Sequence, residues 1–161
     1  MTINSILFVC LGNICRSPMA EGIARDLALR HGLDLGLDSC GISSYHRGET
    51  PDLRAIKTAK NHGINIANLK SRPINYPKDN DFDLIIAMDS NNKRDILSLG
   101  FERQKVKMLG EYENLDLDSN QKLDSIKDVP DPYYGDMEDF EKAYKLIESL
   151  LKNMFYLYFK I

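Results

Sequence analysis

Ile6-Leu7-Phe8-Val9 is a continuous apolar run ending in a Gly-containing loop, the pattern of a short strand buried on both faces. Beyond the loop, Ala20, Ile23, Ala24, Leu27 and Ala28 recur at helical spacing. Ser17 is the candidate cap of this helix, Pro18 fits its first position and Gly32 supplies a stop. Leu37 to Ile42 reads as a second strand. Thr50-Pro51 opens a second helix, with Leu53, Ile56 and Ala59 facing inward and Gly63 past its end. Phe82 to Met88 is the most strongly marked strand; Ser90 caps a helix to Leu99, and Gly100 lies beyond. Val106 and Met108 mark a fourth strand. After a long polar loop over 110–135, Asp136 with Asp139 three residues later starts a last helix. Its Phe140, Ile147, Leu151, Met154 and Tyr158 form one face.

Strands alternating with helices predict a single doubly wound α/β domain over 1–161. Its sheet is four-stranded and parallel, flanked by helices on both faces. In such sheets ligands sit at the carboxyl ends of the strands. The C-terminal segment carries more apolar surface than one core face can absorb, because Phe155, Tyr156 and Phe159 cannot all share the side of Met154 and Tyr158. A partner contact, for instance in a homodimer, is the alternative use of the excess.

Charge narrows the function classes. The chain has 21 Lys plus Arg against 24 Asp plus Glu, a net charge of −3, so no basic excess draws it to nucleic acid or an anionic membrane. The imbalance is local: 111–141 holds 11 acids and only Lys122 and Lys127, read as a solvated loop face. No apolar run approaches the roughly 18 residues of a membrane span, and no basic segment precedes Ile6, so a cytoplasmic location is expected. Cys10, Cys15 and Cys40 are too few and too irregularly spaced for a disulfide framework or a structural zinc site. His31, His46 and His62 show no ligand spacing and read as surface or helix-end residues; no metal and no cofactor is expected.

The chemistry concentrates between the first strand and first helix, where Cys10-Leu11-Gly12-Asn13-Ile14-Cys15-Arg16-Ser17 forms a C-x5-R loop. A loop entering a helix N-terminus can turn its backbone N–H groups into its concavity and add the positive end of the helix dipole, so it can surround a tetrahedral dianion. Gly12 and Asn13 are the residues that tolerate the positive φ angles of such a curl. The planar fork of Arg16 can hold two phosphate oxygens. The same field favours a thiolate, which makes Cys10 a candidate nucleophile that the Ser17 hydroxyl can support.

Val9 to Met19, VCLGNICRSPM, resembles the signature of the low-molecular-weight protein tyrosine phosphatases. The likeness continues through Asp38 to Gly41, His46-Arg47-Gly48, Pro51-Asp52 with Arg54-Ala55, Asn61 to Ile64, Phe82 to Asp89 with Asn92, Met108 to Gly110 and Asp131 to Gly135. The resemblance implies attack by Cys10 on phosphorus, a phosphocysteine intermediate, and phosphate held by Arg16 and loop residues 11–17. It makes Asp131, set between Pro130 and Pro132, the general acid and then base. It also implies aryl-slot walls at Leu11, Ile14, Tyr45 and Tyr133, loop support from Asn13, Ser17 and Ser39, and a redox role for Cys15, which can trap oxidised Cys10 as a disulfide. The partners implied are phosphotyrosine-containing proteins. Two residues depart from the pattern: Leu69, or Asn68 one position earlier, stands where the family usually has a loop-supporting His, and Cys40 replaces a small residue and reads as a core thiol.

Other oxyanion chemistries use related loops. A thioredoxin-linked arsenate reductase needs a further cysteine relay, and nothing after Cys40 is Cys. A phosphoarginine phosphatase is associated with Thr where Ile14 stands. A sugar-transport phosphocarrier domain phosphorylates a similarly placed Cys but has no use for Arg16 and Asp131.

Overall fold

A computed structural model describes residues 2–114 and 126–161. Along these residues strands and helices alternate: β1 (Ser5–Cys10), α1 (Arg16–Arg30), β2 (Gly36–Gly41), α2 (Leu53–Asn61), β3 (Leu84–Ala87), α3 (Ser90–Ser98), β4 (Val106–Met108) and α4 (Met137–Phe159). Three short 3-10 turns, Lys78–Asp81, Arg103–Lys105 and Leu109–Tyr112, join them. The strands form one sheet in the order β2-β1-β3-β4, and every pairing is parallel. The expected α/β architecture is thus the observed one.

Alternation along the strands builds two cores. Ile6, Phe8, Leu84 and Ile86 face a layer made by α1, α2 and α4, while Leu7, Val9, Ile85 and Ala87 face Ile96 of α3 and Phe101. β1 lies between β2 and β3, so the chain leaves it toward one side and returns on the other. That switch point opens a crevice at the carboxyl end of β1, where Cys10 sits.

Three expected caps are corrected. α1 begins at Arg16 with Cys15 in the cap position and no side-chain cap, because the Ser17 hydroxyl is engaged elsewhere. Asp52, not Thr50-Pro51, caps α2 by accepting from the Arg54 amide. Asp89, not Ser90, caps α3 through the Asn92 amide. Leu53, expected inward, is 79% exposed; Ala55, Thr58 and Ala59 carry the buried face instead. At α4 the Asp136–Asp139 capping box forms as read. The middle of the long polar loop, with Lys122, lies outside the described residues.

The aromatic excess of α4 is largely absorbed by the fold. Phe155 is fully buried, and the Tyr158 hydroxyl lies 2.7 Å from that of Tyr112 on the 3-10 turn after β4. The helix packs on two surfaces rather than one, which leaves Tyr156 as the outward aromatic.

Ile147 has no exposed surface in the larger core, so Ile147→Ala should lower unfolding free energy by about 2–5 kcal/mol. Leu53→Ala should change it by less than about 0.5 kcal/mol. Urea unfolding of both variants checks the pair, and equal losses would contradict the assigned faces.

Candidate active site

The segment from Cys10 to Arg16 curls between β1 and α1. Its carbonyls are claimed from outside: Ile42 N–H donates to Cys10 O (3.0 Å), Ser43 N–H to Leu11 O (2.8 Å), Asp52 N–H to Ile14 O (2.8 Å) and the Ser71 hydroxyl to Gly12 O (3.0 Å). In a trans peptide C=O and N–H point in opposite directions. The amides of Leu11, Gly12, Asn13 and Cys15 are therefore turned to the concave side, and among the described residues none of them donates to another group. Asn13 takes the one strained conformation in the loop, at φ 56°. Gly12, expected to share it, does not; a side chain there would instead press on the His46 ring, about 3.0 Å from the position of a Cβ.

A directed hydrogen-bond chain holds the curl. The Arg72 amide, which can only donate, binds Asn13 Oδ1 at 3.1 Å, so Asn13 Nδ2 faces Ser17 Oγ (2.7 Å) and Ser39 Oγ (3.0 Å). The Ser39 hydroxyl donates to the buried carboxylate of Glu21 at 2.7 Å. Ser17 Oγ, already an acceptor from Asn13, has its own proton left for Cys10 Sγ at 3.0 Å, the shorter of two choices; Cys40 O lies at 3.4 Å. Leu69 packs against the core and gives no polar support, and Ser71, the Arg72 amide and Glu21 hold the loop in its place. Glu21 is itself fixed by Arg25 Nε at 2.7 Å.

Arg16 is 2% exposed. Its Nη1 donates to Asp89 Oδ2 at 2.6 Å and to the Val129 carbonyl at 3.0 Å, and its Nη2 lies 3.6 Å from Asp131 Oδ2. Burial works against its charge, but the Cys10 sulfur, the Asp89 hydrogen bond and the charge of Asp131 more than offset that and hold the guanidinium protonated. Asp131 Oδ1 accepts from the Tyr133 amide at 3.1 Å.

Cys10, Leu11, Gly12, Ile14, Cys15, Arg16, Tyr45, Asp131 and Tyr133 line one cavity of about 450 Å³, together with Ser43, His46 and Tyr134. Asn13, Ser17 and Ser39 stand behind it. Cys15 is a buried thiol pushed up by that burial and by the charges of Asp52, Cys10 and Asp131. His46, read as a surface residue, is part of the wall: its ring meets Tyr45 edge-on at 4.8 Å between centroids, and its Nδ1 pairs with Glu49. His62 stacks on Tyr144 at the end of α2, as a helix-end residue. Sequence reasoning passed over Asp89, Glu21, Ser71 and His46. Of these only Asp89 carried a local sign, an acid at the junction of a buried strand and a helix.

A model of the family described as low molecular weight phosphotyrosine protein phosphatase matches residues 5–158. The pig low molecular weight phosphotyrosine protein phosphatase is 40% identical over 147 residues, 88% of this chain and 87% of that protein. Among solved structures, a protein tyrosine phosphatase from Entamoeba histolytica with Hepes in its active site superposes with a TM-score of 0.82 at 34% identity, covering 94% of both chains. The YwlE arginine phosphatase, in a variant carrying a phosphorylated active-site serine, superposes with a TM-score of 0.80 at 31% identity, over 93% and 92% of the two chains.

Gly41 ends β2 against this loop. A Cβ there would lie 2.9 Å from Gly12 C and Leu11 O and 3.0 Å from Asn13 N, all backbone atoms. Gly41→Ala should therefore displace the curl, weakening inhibition by inorganic phosphate and slowing aryl phosphate hydrolysis at least about tenfold. Unchanged inhibition constants would show that the loop yields without cost.

Proposed function

Because this chain belongs to the low molecular weight phosphotyrosine protein phosphatase family, whose members are cysteine-dependent phosphatases, we propose that it hydrolyses phosphotyrosine through a phosphocysteine formed on Cys10. The observation that supports this most is the contact of Cys10 Sγ with Ser17 Oγ in a cavity that Arg16 and Asp131 also line.

The Cys10 thiolate attacks phosphorus, and the bond from phosphorus to the tyrosine oxygen breaks. Asp131 gives its proton to the leaving phenolate. Charge on the equatorial oxygens is met by the inward amides of Leu11, Gly12, Asn13 and Cys15 and by Arg16. Asp131, now a carboxylate, takes a proton from water; the water oxygen attacks phosphorus, the P–S bond breaks, and the thiolate is restored with release of inorganic phosphate. Leu11, Ile14, Tyr45 and Tyr133 form a slot suited to an aryl ring, which favours phosphotyrosine over the shorter phosphoserine. The similarity to an arginine phosphatase makes phosphoarginine the competing substrate. Ile14, an apolar residue in the cavity lining, favours the aryl group.

Cys10→Ser should retain phosphate binding and lose more than about 99% of aryl phosphate turnover. Asp131→Asn should lower kcat/KM for phenyl phosphate by about 10² to 10⁴, and much less for nitrophenyl phosphate, whose leaving group is acidic enough to depart unprotonated. Asp128 and Asp136 are internal controls, since Asp128 accepts from the Ser90 amide and Asp136 caps α4. If Asp128→Asn reproduces the effect and Asp131→Asn does not, the acid is misassigned.

Cys15 is assigned as the thiol that condenses with a peroxide-generated Cys10 sulfenic acid, giving a disulfide and water. Because its thiol is pushed up by burial, the condensation should accelerate as pH rises through the neutral range. Cys15→Ser should stay active in reductant and fail to recover after peroxide. Equal recovery of both forms would remove Cys15 from this role.

A further inference from the structure

The turn that follows Asp131 is gripped by a side chain of α2. Arg54, in the first turn of α2, donates from Nη2 to the Tyr133 carbonyl and from Nη1 to the Gly135 carbonyl, both at 2.9 Å. Its Nε and Nη2 also grip the two oxygens of Asp52 at 3.0 and 2.9 Å. The guanidinium lies over the fully buried Phe140 ring, 4.5 Å from its centroid, and 5.7 Å from that of Tyr133. Four donors and one face are thus engaged at once, which fixes the plane of the group.

The two ends of this clamp reach both halves of the site. Asp52, which holds the guanidinium, donates its amide to the Ile14 carbonyl of the phosphate-binding curl. Tyr133, whose carbonyl Arg54 binds, donates its amide to Asp131 Oδ1. Gly135 N–H closes the same turn on Pro132 O at 2.8 Å. Asp131 therefore sits on a turn whose outer carbonyls are pinned by a charge that is itself fixed to the phosphate loop.

We propose that Arg54 is a positioning residue that sets the distance and angle between the Asp131 carboxyl and the Cys10 loop by clamping the 131–135 turn to Asp52. The inference rests on the reading of Asp131 as general acid and names the device that aims it. Asp52 is held ionised, below the usual carboxylate range, chiefly by its hydrogen bonds from Arg54, which agrees with a charged clamp rather than a neutral contact. Lysine cannot replace the arginine here. Its ammonium has three donors at one point, and cannot reach two carbonyls and both oxygens of Asp52 while presenting a flat face to Phe140.

The test compares Arg54→Lys, Asp131→Asn and the double variant, using kcat/KM for phenyl and nitrophenyl phosphate and inhibition by inorganic phosphate. With a turn free to shift by about 1 Å, Arg54→Lys should lower kcat/KM for phenyl phosphate by about 10- to 100-fold and for nitrophenyl phosphate by less than about threefold, with phosphate inhibition within about twofold of the parent. Added to Asp131→Asn, it should increase leaving-group sensitivity no further. Should Arg54→Lys not fold, Asp52→Asn carries the same test: its amide oxygen can still cap α2, the charge holding the clamp is gone, and the same selective loss is expected at smaller size. If Asp131→Asn raises leaving-group sensitivity and neither clamp variant does, the positioning role is overturned while the general acid stands. Loss of phosphate inhibition in step with turnover would place the effect in the Cys10 loop and also overturn it. If Asp131→Asn itself leaves the sensitivity unchanged, the general-acid reading fails first.

Discussion

A guanidinium buried to 2% exposure is the constraint around which the site is arranged. Removing such a charge from water costs several kcal/mol unless partners replace the lost hydration. Arg16 cannot release its proton, so the fold must bring acceptors to it. Asp89 arrives because β3 is the direct neighbour of β1 and its carboxyl end lies level with Cys10. The Val129 carbonyl arrives because Val129 N–H docks on Met88 O, just past the end of β3. That docking carries Asp131, two residues later, to within 3.6 Å of the same guanidinium. The proposed acid and the Cys10 loop are distant in sequence, and a single buried charge gives both a reason to converge.

The loop itself shows how a concave row of donors is kept free. The carbonyls of Cys10, Leu11, Gly12 and Ile14 are drawn outward by groups on β2's extension, α2's cap and Ser71. Direction in the supporting chain comes from its two ends. The Arg72 amide can only donate, the Glu21 carboxylate can only accept, and the hydroxyls between them have to orient accordingly. The proton of Ser17 is left for Cys10 Sγ or the Cys40 carbonyl, and the sulfur is the nearer of the two. A neutral residue at Glu21 would lift that constraint and let Ser39 reverse.

Much of this architecture is legible in the chain, for identifiable reasons. Ile6 to Val9 and Leu84 to Ala87 are unbroken apolar runs because helices cover both faces of the sheet, and such runs need no tertiary knowledge to recognise. The caps are obscured in the sequence where one residue has two uses. Ser17 looks like a cap but serves sulfur, and Asp89 both caps α3 and pairs with Arg16, so the neighbouring Ser90 appeared the better candidate. Leu53 follows the helical spacing yet points to solvent, since the smaller Ala55, Thr58 and Ala59 allow α2 to approach its neighbours closely. Ser71 reaches Gly12 across 59 residues, Arg54 reaches Tyr133 across 79, Glu21 reaches Ser39 across 18 and His46 acts as a cavity wall, and no local pattern encodes these contacts.

The excess of acid around the mouth raises the question of how a dianion could be drawn there. Net charge does not decide it, because exposed charges beyond about 10 Å are largely screened in salt. What matters is which carboxylates are unmatched within that distance, and among the described residues four acids of this region are matched. Asp128 accepts the Ser90 amide at the start of α3, Asp136 caps α4, Asp52 is gripped by Arg54 and Asp89 by Arg16. Three of these four sit at helix N-termini, where the dipole already favours negative charge. The N-terminus of α1 is the exception: it carries no acid in its first turn and no side-chain cap. Its positive end, and the inward amides of the loop before it, are the donors of this region that no carboxylate of the described chain has claimed, and they surround the cavity that Cys10 lines.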